Sequence, residues 1–228
     1  EEKMGTLSIK TFLVAIMVLA FPLISYAKPV LFYSDIISGP NTGGRDNAGV
    51  FVRLYGKGFG ASRGTSTVTI GGGLAGSYQT WSDSELSFQL GASAKTGSIV
   101  VNSASGQSNS LPFTVRSGRI FFVDINSPSD PGSGTFTDPW RSPKSFYDSA
   151  TAGDTVYIRA GTYSGTYGYP NGSANLMMRH GTGSGYTAAV TQVQPIAWLG
   201  YPGETALFSA PGPTGNTANV RGWLGSST

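Results

Sequence analysis

Short apolar stretches alternate with glycine- and serine-rich turns through much of the first half of the chain. In several of them every second residue is apolar, as in Val50, Val52 and Leu54, so each strand offers one face for burial. Regularly spaced short strands without a helical period predict an antiparallel β-sandwich over residues 29–116. The predicted strands are Val30–Ile36, Val50–Tyr55, Ser66–Ile70, Gly76–Thr80, Glu85–Leu90, Gly97–Asn102 and Leu111–Val115.

The composition excludes several classes of chemistry. The 228 residues include 33 Gly and no Cys, and 12% of them are charged. A chain without Cys has no disulfide framework, thiolate zinc site or cysteine nucleophile. With His180 as its one His, it cannot build a His-rich metal cage. The formal net charge of +3 comes from scattered basic residues, so no nucleic-acid partner is expected.

Residues 1–27 have the parts of a secretory signal peptide. Lys10 precedes the apolar run Phe12–Ile24, and the segment ends in the small-x-small pattern Ser25–Ala27. The alternative is a membrane anchor, but an anchor needs about 20 apolar residues, and this run is shorter and contains Pro22. We therefore expect cleavage after Ala27, no membrane contact afterwards, and a secreted, periplasmic or cell-surface protein.

The turn Gly56–Gly60 resembles the glycine-phenylalanine turn of the IPT/TIG group of immunoglobulin-like domains. Gly56 and Gly58 permit a positive φ, and Phe59 can place its ring beneath the turn. The resemblance implies a spacer or binding module, and by itself such a fold does not specify a function. The similarity continues in Val68–Gly71, Thr80–Leu86, Gly97–Val101 and Ser108–Val115.

Residues 119–228 predict a second β-rich module with a short helix. The strand Arg119–Asp124 leads into a long loop of turn-forming residues. Ser142 suits the N-cap of a helix, Pro143 its first position and Gly153 a left-handed end. Further strands are predicted over Asp154–Arg159, Gln194–Leu199 and Thr205–Phe208.

This order of elements resembles the beginning of right-handed parallel β-helices of the pectate-lyase-like superfamily, above all the alginate lyase and chondroitinase B group. The run Ala152–Tyr163 carries the most specific part of the similarity. The fold class is therefore expected to be all-β: an Ig-like sandwich followed by the N-terminal cap and first coils of a right-handed parallel β-helix. The resemblance implies that the helix caps the first coil with Phe146, Tyr147 and Ala150, that Val156 and Ile158 point inward, and that Tyr157 and Arg159 point outward.

The module after residue 119 has room for about two or three coils, and no closing cap follows. A solenoid cut there exposes an apolar cross-section. We therefore expect the chain to be the N-terminal fragment of a longer protein.

The β-helix resemblance also implies a function. Uronate lyases of this superfamily act by β-elimination, with a base, a cation and often Ca²⁺ from the middle coils. The longer protein is thus expected to bind and cleave an acidic polysaccharide, with Ca²⁺ implied for it. No cofactor, metal site or catalytic residue is predicted in this chain, which alone is expected to be inactive. Two alternatives stay open: a non-enzymatic adhesion protein with a glycan-binding β-helix, and a glycoside hydrolase with paired carboxylates.

A tyrosine-rich loop supplies the candidate substrate-binding residues. Its rings, with polar tips, suit stacking against sugars, and a basic pair follows the loop. The alternatives are a loop held by its own aromatics and an ordinary exposed pair. Lys144 and Arg159 are interpreted as solvated or structural. Three acidic residues of the long loop could bind Ca²⁺ but are interpreted as Asx-turn formers: Asp124, Asp130 and Asp138. The candidate substrate residues are Tyr163, Tyr167, Tyr169, Arg179 and His180.

Overall fold

The computed structural model describes residues 27–165, 167–169, 172–174, 176, 195–209, 217–220 and 223–226. The predicted signal peptide lies outside the described residues except for Ala27. In the described part of the chain, no helix is long and apolar enough to cross a membrane. Residues 30–115 form the strands β1 (Val30–Ser34), β2 (Ser38–Gly39), β3 (Phe51–Lys57), β4 (Thr67–Ile70), β5 (Gly73–Trp81), β6 (Glu85–Leu90), β7 (Gly97–Ser103), β8 (Gly106–Gln107) and β9 (Leu111–Val115).

These strands form two layers joined by the long strand β5. In one layer β3 lies between β1 and β6, and β6 pairs with β5, all antiparallel. β5 also pairs with β4, and the order continues through β7 and β9 to β2. Register shifts between Ala75 and Thr80 mark irregularities in β5 that bend it from one layer to the other. The predicted all-β, Ig-like fold is confirmed, although β2 and β9 pair in parallel.

The Gly56–Gly60 turn closes one end of the sandwich core. Phe59 is buried there, and Gly58 has a φ of +77°. Gly56 is needed for space rather than for a positive φ, which corrects the sequence interpretation. A Cβ at Gly56 would lie 2.1 Å from the Val30 carbonyl oxygen and 2.5 Å from the Phe59 ring. Trp81 packs on Phe59 and donates its indole N–H to the Phe59 carbonyl at 3.1 Å.

The strands that follow residue 116 stack in parallel across long separations in sequence. β10, β11 and β15 pair in parallel, and β12 pairs in parallel with β16. β11 leads directly into β12, and β15 leads into β16, so a two-strand unit repeats. The strands are β10 (Ile120–Val123), β11 (Thr155–Ile158), β12 (Gly161–Tyr163), β13 (Tyr167–Tyr169), β14 (Gly172–Ala174), β15 (Ala197–Gly200), β16 (Ala206–Ser209), β17 (Thr217–Val220) and β18 (Trp223–Ser226).

The last two strands differ from a continuing parallel stack. β17 pairs antiparallel with β16, and β18 pairs antiparallel with β15. In these positions they give β15 and β16 backbone partners that an open sheet edge lacks.

The helix α1 spans Pro143–Ser149. The Ser142 hydroxyl accepts a hydrogen bond from the Lys144 N–H at 3.1 Å, and Pro143 occupies the first helical position, as predicted. The helix ends at Ala150, before Gly153, which has a φ of +92° in the turn that precedes β11. Phe146 is fully buried and packs against Trp198, with ring centroids 4.7 Å apart.

Replacing Ser142 by Ala removes the side-chain acceptor for the first turn of α1. We expect Ser142→Ala to lower the free energy of unfolding by about 1 kcal/mol, measured by urea denaturation. Ser145→Ala, inside the same helix, is the matched control and should change stability little, because Ala favours helix. Equal effects of the two substitutions would contradict the capping role.

The sheet β10–β11–β15 has a different buried partner on each face. Val156 and Ile158 pack with Phe146 of α1 in one apolar cluster, as expected for inward residues. Tyr157 and Phe122, on the other face, belong to the cluster that fills the sandwich. Tyr157 does point away from Val156, but it is 1% exposed because the sandwich covers it.

Tyr157 joins the two parts of the chain through the backbone of Phe51. β1 pairs with β3 as far as Leu54 and does not reach Phe51. On the β1 side, the backbone of Phe51 is therefore open to another partner. The Phe51 N–H donates to the Tyr157 hydroxyl at 2.7 Å, and this hydroxyl faces the Phe51 carbonyl oxygen at 3.4 Å. Their rings meet edge to face, with centroids 5.5 Å apart. Burial raises the pKa of Tyr157 well above its usual value, so the hydroxyl stays protonated.

Arg116 fastens the same junction at the connection from β9 to β10. Its guanidinium donates to Ser38 Oγ at 3.2 Å, to the Pro195 carbonyl at 3.2 Å and to the Gly153 carbonyl. Burial lowers the pKa of Arg116 to about 10. A buried cation that donates to a hydroxyl of the sandwich and to two carbonyls of the second part of the chain ties the two parts together.

A third set of junction contacts surrounds Tyr201. Arg45 donates to the Tyr201 hydroxyl at 3.1 Å and lies 4.9 Å from the centre of the Phe136 ring. Arg159 stacks on Tyr201 at 4.7 Å and forms a bidentate pair with Glu204 at 2.7–2.9 Å. The contacts of Arg45 with Tyr201 and with the Phe136 ring join a sandwich loop to the loops of the parallel sheet.

Candidate functional site

Of the residues predicted from the tyrosine-rich loop and its basic pair, the structure describes the side chain of Tyr163 alone. Tyr163 is fully buried, and its ring stacks on Phe208. Its hydroxyl lies 3.2 Å from the Val123 carbonyl oxygen and 3.0 Å from that of Arg159, and either oxygen can accept its proton. It therefore has a structural role and is not accessible to a sugar. Tyr167 and Tyr169 lie on β13, which pairs with β14. The other two candidates, Arg179 and His180, lie outside the described residues.

Four of the charged residues considered for catalysis or metal binding already have structural partners: Lys144, Arg159, Asp124 and Asp138. Lys144 forms an ion pair with Asp148 on α1, and Arg159 pairs with Glu204. Asp124 accepts from the Asn126 N–H at 2.9 Å, as in an Asx turn, whereas Asp138 accepts from the N–H of Ser133, five residues earlier, at 2.8 Å, which is not an Asx turn. Hydrogen bonds from serine hydroxyls lower the pKa of Asp138. Among the described residues, no group of three His, Cys, Asp or Glu could hold a metal ion.

The structure instead brings together two tyrosines on the outer face of the sandwich. Tyr33 of β1 stacks on Tyr55 of β3, with ring centroids 4.7 Å apart and planes 22° apart. Tyr33 is 56% exposed and Tyr55 is half-buried. We call this pair the tyrosine platform. One face of Tyr33 lies against Tyr55, so its other face is available to a flat ligand.

A β-bulge aims Tyr33 outward. Leu31 is opposite Gly56 and Tyr33 is opposite Tyr55, so Phe32 is an extra residue in β1. Leu31 is buried in the core, and without the extra residue the alternation of the strand would point Tyr33 inward as well. Bulges are used in this way to redirect side chains at sheet edges.

Polar groups border the platform on the β6 side. Arg53 Nη1 donates to the Tyr55 hydroxyl at 3.3 Å, and Arg53 Nε lies 3.2 Å from Glu85 Oε1. That second contact is close enough for an ion pair, but its angle does not make a hydrogen bond, so Arg53 Nε keeps a donor unused. Burial lowers the pKa of Arg53, but the Tyr55 hydrogen bond and the carboxylates of Glu85 and Asp35 outweigh it, and the net pKa is raised. Donors and acceptors thus stand beside an aromatic ring.

Asp35 lies behind the platform, where β1 ends. Its carboxylate accepts the backbone N–H of Arg53 at 2.8 Å and that of Ile36 at 2.9 Å. Burial raises the pKa of Asp35 to about 6, although the Arg53 N–H and charge act against this. The cleft between Asp35, Arg53 and Tyr157 holds about 10 Å³, which is room for about one water-sized molecule and not for a sugar.

The raised pKa of Asp35 predicts a pH-dependent stability. The folded state binds more protons than the unfolded state between about pH 4 and pH 6, so the free energy of unfolding falls as pH rises through that window. In Asp35→Asn, which can keep both hydrogen bonds, this fall should disappear. We expect the variant to equal the wild type near pH 4 and to exceed it by about 1–3 kcal/mol at pH 7.5.

Urea denaturation at a series of pH values measures this difference. Asp46→Asn is the matched control, since its side chain is 81% exposed. An Asp35→Asn variant with the same pH dependence as the wild type would contradict the account.

A larger groove, of about 500 Å³, lies among the loops at the end of the sandwich near Gly58 and Ser103. Its charged side chains are used by the loops themselves. Asp83 accepts from the N–H groups of Gly58 and Gly60, and Arg63 donates to the Ser66 carbonyl while stacking on Tyr78. The groove therefore presents mainly small side chains and backbone, and the tyrosine platform is the stronger candidate.

Residues 37–115 match the model of the IPT/TIG domain family. The chain contains an IPT/TIG domain. This agrees with the resemblance drawn from the Gly56–Gly60 turn. The IPT/TIG match includes Tyr55 and Arg53, whereas Tyr33 precedes it and the parallel strands follow it.

Solved structures show partial similarity. An auxiliary nutrient binding protein from Bacteroides thetaiotaomicron is 18% identical with a TM-score of 0.33, covering 40% of this chain and 21% of that one. One from Bacteroides ovatus is 18% identical with a TM-score of 0.33, covering 49% and 28%. A putative phosphatase from B. thetaiotaomicron is 14% identical with a TM-score of 0.32, covering 40% and 18%. This chain thus spans less than a third of each, and similarity at this level does not transfer a function. No curated protein matches the sequence.

Sequence reasoning missed the tyrosine platform. Tyr33 and Tyr55 both fell within predicted strands, and a bulge leaves no clear signal in a run such as Val30–Tyr33, where every residue is apolar or aromatic. The usable signal was the presence of two tyrosines near the ends of consecutive predicted strands, which can meet across an antiparallel pair.

Proposed function

We propose that this chain is an exported polysaccharide-binding protein, in which a sugar ring stacks on the outer face of Tyr33. The observation that carries the proposal is the exposed tyrosine platform, 56% open at Tyr33 and supported from behind by Tyr55. Aromatic rings with polar tips bury apolar ligand surface while keeping a hydrogen-bonding group in water.

The neighbouring charges support the same ligand class. The Arg53 guanidinium offers donors and the Glu85 carboxylate offers acceptors, and sugar hydroxyls are both donors and acceptors. The two side chains contact each other, and Arg53 also donates to the Tyr55 hydroxyl, so little further ordering is needed when a ligand binds.

For the strands after residue 116, we propose the first coils of a parallel β-helix, with α1 as its cap. The parallel register of β10, β11 and β15, the repeated two-strand unit and the burial of Phe146 against Trp198 support this assignment. The resemblance to alginate lyases and chondroitinases then favours an acidic polysaccharide as the ligand. Lyase activity stays a prediction from this resemblance, which assigns no catalytic residue in this chain.

Calorimetric titration of the chain that begins at Lys28 tests the binding function. The ligands are alginate and polygalacturonate oligosaccharides as acidic glycans, with a neutral β-glucan for comparison. We expect saturable binding of an acidic glycan with a Kd below about 1 mM, the affinity range of a small exposed site. Binding of none of these glycans would contradict the proposed function.

A further inference from the structure

The side chain of Asn109 pairs with both backbone groups of Leu31. Leu31 N–H donates to Asn109 Oδ1 at 2.7 Å, and Asn109 Nδ2 donates to the Leu31 carbonyl at 3.0 Å. β1 stands at the end of the strand order, so this amide occupies a position where a further strand would pair. It connects β1 to the segment that leads into β9, in the opposite layer.

This contact lies immediately before the bulge that aims Tyr33. Beyond the bulge, β1 is held a second time, because Asp35 N–H donates to the Arg53 carbonyl at 3.0 Å and the Asp35 carboxylate accepts the Arg53 N–H. The bulged residues, including Phe32 and Tyr33, are thus fixed on both sides. A slip of one residue in β1 would exchange inward and outward side chains.

We propose that Asn109 is a positioning residue for the tyrosine platform. Its two hydrogen bonds to the Leu31 backbone fix the register of β1 and place Tyr33 over Tyr55. The amide recognises a backbone N–H and C=O at one residue, so it selects Leu31 over Val30 or Phe32. Where the inference concerns ligand affinity it rests on the proposed function, whereas the placement of Tyr33 does not depend on it.

The test compares Asn109→Ala with Gln107→Ala, which removes another surface amide contact of the same domain, to Asn102 at 2.9 Å. The first readout is the chemical shift of the Tyr33 ring protons, and it needs no ligand. The Tyr55 ring, stacked with its centroid 4.7 Å away, shifts these resonances. Asn109→Ala is expected to move these resonances toward those of an unstacked tyrosine, and Gln107→Ala to leave them in place.

The second readout is the affinity for alginate oligosaccharide. We expect Asn109→Ala to weaken binding about 2- to 10-fold, the effect of one or more lost hydrogen bonds on the placement of Tyr33. Asn109→Asp keeps the acceptor for Leu31 N–H and loses the donor, so it should restore part of both signals. A structural role limited to edge protection would lower stability without moving the Tyr33 resonances.

The outcomes separate the two proposals. Unchanged Tyr33 resonances in a folded Asn109→Ala variant overturn the positioning role. If the wild type binds no glycan while Asn109→Ala still displaces the Tyr33 ring, the proposed function fails and the positioning role stands. If Gln107→Ala displaces the ring equally, the effect is not specific to the hydrogen bonds between Asn109 and Leu31, and the inference is overturned.

Discussion

Replacing Tyr157 by Ala is expected to lower the free energy of unfolding by about 3–5 kcal/mol, as for other large aromatic-to-Ala changes in a core. The ring is 1% exposed and packs against Phe51 and Phe122 at the junction of the sandwich and the parallel sheet. The loss should appear as a shift of the urea midpoint for both parts of the chain together, because they share one apolar cluster.

Tyr157→Phe isolates the hydroxyl. It leaves the Phe51 N–H and C=O without their side-chain partner, which costs about 1–3 kcal/mol for buried groups. The exchange of the Phe51 amide proton should accelerate in this variant. Tyr33→Phe is the matched control, since it removes a hydroxyl from a ring that is 56% exposed, and should stay within about 0.5 kcal/mol of the wild type. Equal losses for the two Tyr→Phe variants would contradict the junction as described.

Replacing Tyr33 by Ala is expected to weaken polysaccharide binding by at least about 10-fold, because a central aromatic contact commonly contributes more than 1.4 kcal/mol. Titration with alginate oligosaccharide measures the loss. Tyr33→Trp should retain binding, since it keeps a flat ring over Tyr55. Stability should change little, because the outer face of Tyr33 is open to solvent.

Phe32→Ala is the control for this prediction. Phe32 is as exposed as Tyr33, at 56%, and is the extra residue of the bulge, so it lies outside the stack with Tyr55. Binding should be weakened by Tyr33→Ala and not by Phe32→Ala. If the two substitutions weaken binding equally, the ligand is held by general apolar surface at β1 and not by the tyrosine platform.

Much of the fold could be predicted from local patterns in the sequence. Alternation in residues such as Val50, Val52 and Leu54 located the sandwich strands, because burial of one face is a property of each strand alone. Ser142 and Pro143 located the start of α1, because capping depends on a few neighbouring residues. The end of the helix was less well predicted, since Ala150 ends it before Gly153.

Features that depend on contacts between distant segments could not be predicted. The alternation in β11 predicts that Tyr157 points outward. Its burial against Phe51 depends on how the sandwich packs on the parallel sheet, which the sequence of β11 does not contain. Tyr163 comes from a strand of three residues, too short for alternation to show that its ring is buried against Phe208. The tyrosine platform depends on one extra residue, Phe32. In the proposed account, the hydrogen bonds between Asn109 and Leu31 set its position.

The most direct test of the account is a nuclear magnetic resonance titration of tyrosine-labelled protein with alginate oligosaccharide. The account predicts that the ring signals of Tyr33 and Tyr55 shift in a saturable way. The signals of Tyr157, which is buried in the junction, should stay in place. Saturable binding that leaves the Tyr33 and Tyr55 rings unmoved would show that the sugar binds elsewhere and would contradict the tyrosine platform as the site.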